Sequence, residues 1–320
     1  MRDFDIAVER WPIAGGFTIS RGSRTEATVV VARIVSDGAS GMGECVPYAR
    51  YGESARSVVA QMQTVANDIR GGATIDELQG LLPPGAARNA IDCALWALNA
   101  AIAGEPLHRL AGLDAPRALI TAYTISLGTP ETMYEAASKA AQRPLLKVKL
   151  GGEGDPERVA AIREAAPNAR LIVDANEAWR DDTLAANLQA CEAASVELIE
   201  QPLPAGRDDA LARISTDIAI CADESIHDHA SLARLPPWYD AINIKLDKTG
   251  GLTNALALLA GAQTRRLKIM VGCMLGTSLG IAPAIVLARK AQFVDLDGPL
   301  LLARDREGGL RYEGSMICPG

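Results

Sequence analysis

Aromatic side chains are scarce in this sequence: Phe, Trp and Tyr make up 4% of its residues, although hydrophobic types reach 48%. A core must therefore be built from Ala, Leu, Ile and Val, as in barrels and layered helices, and at 320 residues it is large enough to need no staples. Only three histidines occur (His108, His227, His229), and the six cysteines are scattered with no Cys-x-x-Cys pair. That excludes a zinc centre of the usual Cys/His kind and a disulfide framework. The cysteines read as reduced thiols, and the start of the chain has no apolar signal-like segment, so a cytoplasmic location is expected. Positive charge is also lacking: the formal net charge is −7 and no basic run is present. Neither nucleic acid nor an anionic membrane is an expected partner.

One charge-free stretch, Ile269–Ala288, has the length of a membrane span. Gly272, Gly276, Gly280 and Pro283 interrupt it, and positive residues flank both ends. A buried strand, a Gly turn and a buried helix are expected instead.

What the sequence does have is a steady alternation. From about residue 119, short β-rich runs (Leu119–Ser126, Leu145–Leu150, Arg170–Ala175, Val196–Gln201, Ile218–Asp223, Ala241–Leu246, Leu267–Cys273, Phe293–Asp297) alternate with Ala-rich amphipathic stretches. Strand, helix, strand at constant pitch predicts βαβ units and a parallel sheet, and eight repeats point to a closed (β/α)8 barrel; periodicity alone leaves an open doubly wound sheet as the alternative. Residues before 115 differ, with strands at Asp3–Trp11 and Ala27–Ser36, then helices at Ser57–Arg70, Ile75–Leu82 and Ala86–Ala103. The expected organisation is an α+β capping domain (1–115), the barrel (116–300) and a tail (301–320) returning to the capping domain. Gly15–Arg24 and Pro47–Ser54 are candidate lid loops.

The polar residues at the strand ends carry the chemistry. Asp174, Glu200 and Asp223 end three successive runs, where barrel active sites form. One such residue is usually a helix N-cap. Three converging carboxylates call for a cation, and an all-oxygen set without His or Cys selects Mg2+ or Mn2+. Glu224 and Asn176 are candidate supports for this cluster.

Lys147 and Lys149 share one face of the second run and Lys245 ends the sixth, with Asn243 in the same phase. On its own, the first pair also fits an edge strand with solvated lysines. With a metal on strands three to five, Lys149 and Lys245 flank whatever the metal holds. Burial and a nearby dication are expected to lower their pKa, and bases on two faces predict epimerisation or racemisation. Asp295 and Asp297, in phase on the eighth run, suit a substrate ammonium; a polar strand end before Gly298-Pro299 is the alternative. Gly276-Thr277-Ser278-Leu279-Gly280 mimics a nucleophile elbow but no histidine follows it. His227-Asp228-His229 reads as a surface turn and Lys248-Thr249-Gly250-Gly251 as a turn.

These residues resemble the muconate-cycloisomerase subgroup of the enolase superfamily, and Asp295-x-Asp297 resembles the motif of its dipeptide epimerases. Ser20–Arg24, Gly43–Tyr48, Arg50–Ser54 and Asn243–Leu252 extend the resemblance over essentially the whole chain, close to the group acting on L-Ala-D/L-Glu. It implies a small-molecule dipeptide substrate whose C-terminal carboxylate chelates Mg2+ and whose ammonium pairs with Asp295 and Asp297. Lys149 and Lys245 are then the two bases, and Lys147 assists the enolate. Arg24, with Arg21 as a second candidate, takes the glutamate side chain, while Thr124, Cys273 and Met274 line the pocket. The implied role is murein peptide recycling. A cycloisomerase or o-succinylbenzoate synthase-type lyase on the same scaffold is the alternative, and homo-oligomerisation is left open.

Overall fold

The computed structural model describes residues Arg2–Cys318. It opens on a three-stranded antiparallel sheet of β1 (Asp3–Ile19), β2 (Gly22–Ser36) and β3 (Ala39–Cys45). β1 and β2 pair almost to their ends, with one register shift between Pro12 and Phe17, so most of Gly15–Arg24 is the tip of a long hairpin and not an irregular loop. The helix Ala86–Ala103 crosses β3 at close range: a Cβ on Gly41 or Gly43 would stand 2.1 Å from the carbonyls of Ala94 or Ala90. Glycine at both places, facing an Ala-rich helix, is what lets the two backbones meet.

The second sheet has eight parallel strands. After the short β4 (Leu119–Ile120) come β5 (Tyr123–Ile125), β6 (Leu145–Lys149), β7 (Arg170–Asp174), β8 (Val196–Glu200), β9 (Ala219–Ala222), β10 (Ala241–Ile244), β11 (Lys268–Gly272) and β12 (Phe293–Asp295). β5 to β12 neighbour one another in chain order, and the Ala122 amide donates to the Val294 carbonyl (2.8 Å), joining first strand to last. The protein is an α/β barrel with an N-terminal capping sheet and helices. The first expected run, Leu119–Ser126, is broken in two. β4 leaves the barrel to pair with β14 (Met316–Cys318), itself paired with β13 (Arg311–Glu313). Leu302–Arg306 instead runs along the capping sheet, through a bridge to Ile13 and ion pairs of Arg306 with Glu9 and Glu44. Residues 319–320 of the expected tail lie outside the described residues.

Inside the barrel, alternation builds rings. Ala122, Leu145, Ile172, Leu198, Cys221, Ala241, Met270 and Phe293, one per strand, form an apolar cluster. Two residues further along each strand, the same inward phase carries Thr124, Lys147, Asp174, Glu200, Asp223, Asn243, Gly272 and Asp295. Outward-facing residues such as Val148, Val173 and Ile199 pack with the surrounding helices in the main core.

The charge-free stretch is β11, a turn and the buried helix Ser278–Ala288, and no described helix is long and apolar enough to cross a membrane. The capping domain docks on the β10 connection. Arg88 donates to the carbonyls of Thr249 and Gly250, and Asp92 accepts from the amide of Thr253. A Cβ on Gly250 or Gly251 would strike these two side chains at 2.6 and 2.4 Å, so the glycines admit the neighbouring domain.

Candidate active site at the strand ends

The upper inward ring is a cluster of opposed charges. Lys147, 1% exposed, is 3.2 Å from Asp174, 2.6 Å from Glu200 and 2.7 Å from Asp295. Lys149 donates to Asp174 (2.6 Å), and Lys245, on the far side of the three carboxylates, donates to Asp223 (2.7 Å). Glu200 is held within the same ring by Asn243, whose side-chain amide donates to its Oε1 (2.7 Å). Gly272 makes room for that amide, since a Cβ there would lie 2.6 Å from Asn243 Oδ1. Every sequence-derived lysine and carboxylate of the cluster is thus buried in one place.

Electrostatics follows from this crowding. Burial alone would lower the pKa of Lys147, but Asp295, Glu200 and Asp174 outweigh it and hold it well above the ordinary value. The same contest, with Asp223 and Glu200 as the main carboxylates, raises Lys245. The expected downward shift counts a dication on these carboxylates; with their charge unshared, their attraction exceeds desolvation at Lys245. Burial would raise Asp174 and Asp223, yet their lysines pull both down. Glu200 goes the other way, raised by burial and by Asp174.

As placed, no three His, Cys, Asp or Glu side chains among the described residues come together in metal-holding geometry. The lysine ammonium groups stand between the carboxylates. The donor set nonetheless fits a hard cation: Asp174, Glu200 and Asp223 end adjacent strands, all offer oxygen, and Glu200 Oε2 accepts no hydrogen bond despite its close contact with Lys147.

Asp295 and Asp297 are both buried but differently engaged. Asp295 Oδ2 accepts from Lys147, while its Oδ1 has no hydrogen bond. Asp297 Oδ2 accepts from the backbone amide of Thr124 (2.7 Å), and burial together with Asp295 pushes its pKa up to about 7. A cavity opens above the cluster, lined by Lys149, Asp223, Lys245, Cys273, Met274 and Arg24. Lys147, Asp174, Glu200, Thr124, Asp295 and Asp297 do not line it.

The two arginines of the hairpin tip part company. Arg21 is tied down, donating to the Asn176 carbonyl (2.9 Å), Tyr48 Oη (2.7 Å) and Glu224 Oε1 (2.7 Å). Arg24 has no ion pair among the described residues, and its guanidinium carbon lies 5.9 Å from the Tyr48 ring centre. Glu224, whose pKa burial and Asp223 push up to about 7, is thus the anchor of Arg21. Asn176 supports the cluster through its amide, which donates to Asp174 Oδ1.

Two residues escaped the sequence reading. Lys248, expected only to shape a turn, is buried and donates to Asp223 Oδ1 and to the carbonyls of Asp223 and Asn243 (2.7 and 2.9 Å). The helical turn Leu246–Thr249 returns position 248 to the side of Lys245, which strand alternation does not anticipate. Gln201 accepts the amides of Asp223 and Ser225 and so fixes the end of β9. The rejected motifs have structural explanations. Asp228 caps the helix His229–Arg234, and Gly276 and Gly280 leave space for Glu44, whose oxygen would lie 2.7 and 3.1 Å from their Cβ atoms.

An eight-stranded barrel, capped by an N-terminal α+β domain and carrying carboxylates on consecutive strand ends between lysines, defines a class. Family models match accordingly: the mandelate racemase/muconate lactonizing enzyme N-terminal domain over residues 1–112 and the enolase C-terminal domain-like family over residues 131–296. The chain belongs to the enolase superfamily. Within it, the chain is 48% identical to the L-Ala-D/L-Glu epimerase of Escherichia coli K12 over 98% of both chains. An enolase family member from Agrobacterium tumefaciens with homology to dipeptide epimerases, solved with sodium and L-Ala-L-Glu, is 52% identical. It superimposes with a TM-score of 0.98 over 100% of this chain and 98% of that one. The dipeptide epimerase of Cytophaga hutchinsonii, solved with Mg and D-Ala-L-Val, shares 30% identity and a TM-score of 0.90 over 99% and 92% of the chains.

Proposed function

We propose that the protein is a dipeptide epimerase, acting on L-Ala-D/L-Glu and inverting the α-carbon of the C-terminal residue by 1,1-proton transfer. The observation that carries this reading is the placement of Lys149 and Lys245 on β6 and at the end of β10, each bonded to a different carboxylate of the set between them. Asp174, Glu200 and Asp223 would hold Mg2+, exchanging lysine contacts for the cation. When bound, Mg2+ supplies positive charge opposite the substrate carboxylate and makes the α-proton more acidic.

One lysine, as the neutral amine, takes the α-proton, and the electron pair passes into the carboxylate of the substrate. The other lysine, as ammonium, delivers a proton to the opposite face. Carboxylates whose charge is spent on the cation no longer hold Lys245 so high, so its amine form is reached nearer neutral pH. Lys147 keeps a fixed positive charge beside the carboxylates. Asp295 and Asp297 pair with the substrate ammonium, for which the unbonded Asp295 Oδ1 is a ready acceptor. Arg24, which has no ion pair among the described residues, takes the glutamate side chain, Cys273 and Met274 line the pocket, and Thr124 holds Asp297 through its backbone amide. A cycloisomerase or o-succinylbenzoate synthase-type lyase has no use for the Asp295–Asp297 pair.

The test is turnover of L-Ala-L-Glu and L-Ala-D-Glu in D2O with Mg2+. Deuterium is expected at the glutamate α-carbon of both epimers, with loss of exchange on chelation. No exchange with any dipeptide rejects the reading, and an Asp297→Asn variant with full activity on a lyase substrate favours the alternative.

A further inference from the structure

The roof of the cavity consists of two capping-domain segments, the hairpin tip with Arg21, Gly22 and Arg24, and the turn after β3 with Tyr48. They are separate in sequence, yet both are fastened to one side chain of the barrel. Glu177, three residues beyond Asp174, is only 10% exposed and has a left-handed backbone (φ 66°), a conformation costly for a residue with a side chain. Its Oε1 accepts from the Ala205 amide (2.9 Å) and from Arg50 Nη2 (2.8 Å). Its Oε2 accepts from Arg50 Nε (2.7 Å) and from Arg21 Nη1 (3.3 Å).

The Arg50 contact is two-pronged, the geometry in which a guanidinium binds a carboxylate most directionally. Glu177 is the one acidic partner of Arg50 among the described residues. Arg21 has further anchors in Glu224, Tyr48 and the Asn176 carbonyl, and Ser20 donates to that same carbonyl (3.1 Å). The loop that leaves the strand of Asp174 therefore holds both halves of the roof.

The geometry points to Glu177 as a positioning residue that ties the hairpin tip and the Tyr48–Gly52 turn together, so that the two close over the substrate as one unit. The kinetic part of this inference rests on the epimerase reading above; the coupling of the two segments does not. Loss of the tie lowers the fraction of closed molecules, and the apparent affinity falls by that fraction while the chemistry of the closed state is unchanged.

The experiment compares the full-length wild type, Glu177→Gln, Arg50→Gln and the double variant, all with Mg2+. Gln at 177 keeps an acceptor for the Ala205 amide and removes the charge. Hydrogen exchange without dipeptide is expected to speed up in residues 18–24 and 48–53 together in Glu177→Gln. With L-Ala-D-Glu, KM is expected to rise about tenfold with kcat changed less than about twofold. In the Glu177→Gln background, Arg50→Gln is expected to add nothing. Faster exchange in 48–53 alone, or in neither segment, overturns the coupling, as does an additive Arg50→Gln effect. A fall in melting temperature with KM unchanged reduces Glu177 to a structural residue and also overturns it. Should the wild type turn over no dipeptide, the epimerase reading fails and the exchange measurement still decides the coupling.

Discussion

Two rings of side chains lie inside the same barrel, one step of strand alternation apart. The first, from Ala122 to Phe293, is wholly hydrophobic; the second, from Thr124 to Asp295, is almost wholly polar. Backbone, burial and neighbours are nearly the same, so the contrast isolates what side-chain chemistry does. The apolar ring gains from leaving water and needs no partner. The polar ring gains little or nothing from burial, since desolvation of its charges offsets their mutual attraction. Lys147, Asp174 and Glu200 are tolerated because each neutralises another. One ring holds the barrel together, and the other is held in place by it.

The largest expected effect comes from the two lysines that stand one alternation step above the polar ring and bond to its carboxylates. Lys149→Met and Lys245→Met should each lower epimerisation by about 10²–10⁴-fold, the usual weight of a positioned base. Each variant should also lose α-proton exchange from one starting epimer, and from opposite epimers in the two cases. NMR in D2O with separated epimers reads this out; equal loss from both epimers in both variants would contradict opposed bases.

The complementary change is Ile172→Ala in the apolar ring, two residues from Asp174. It should lower unfolding free energy by about 2–5 kcal/mol in a denaturant titration while leaving kcat/KM within about threefold. Comparable activity loss would show that the rings are not separable in this way.

A smaller effect concerns a carboxyl outside both rings. Asp247 is half-buried, accepts from the Val46 amide (2.9 Å) and Asn89 (2.9 Å), and is pushed up to about 7 by partial desolvation of its carboxyl. Its native pKa lies above its unfolded value of about 4, so the folded state binds its proton more tightly. Its contribution is favourable below pH about 4 and is lost as pH rises through about 7. Asp247→Asn should therefore flatten the decline in melting temperature between pH 5 and 8, on the order of 2 kcal/mol. An unchanged pH profile would show that Asp247 is ionised throughout.

Much of the polar ring was legible because strand alternation is strictly periodic. Asp174, Glu200 and Asp223 recur at intervals of 26 and 23 residues, one βα unit each, and stand at one height in the barrel, whereas Lys245, 22 residues further on, stands one alternation step above them, with Asn243 at their level. Lys248 was illegible because its side chain returns to the cluster through a helical turn just past the strand. Arg21 and Arg24 look alike in sequence and both line the cavity; Arg21 is bonded to Asn176, Tyr48 and Glu224, whereas Arg24 has no ion pair among the described residues. Leu119–Ser126 read as one strand because its composition is uniformly β-prone, whereas the tail strand β14 draws its first two residues out of the barrel.

The sequence by itself determined the eight βα repeats, the order of their strand ends and the residue types found there, because hydrophobic period and repeat length are local properties of the chain; closure of the sheet into a barrel was decided by the pairing of first strand with last. The tertiary structure alone decided which carboxylate each lysine holds, the upward shift of Lys245 and the fastening of both roof segments to Glu177. Those depend on distances between residues far apart in sequence, and on the balance of burial against charge at a point that many strands create together.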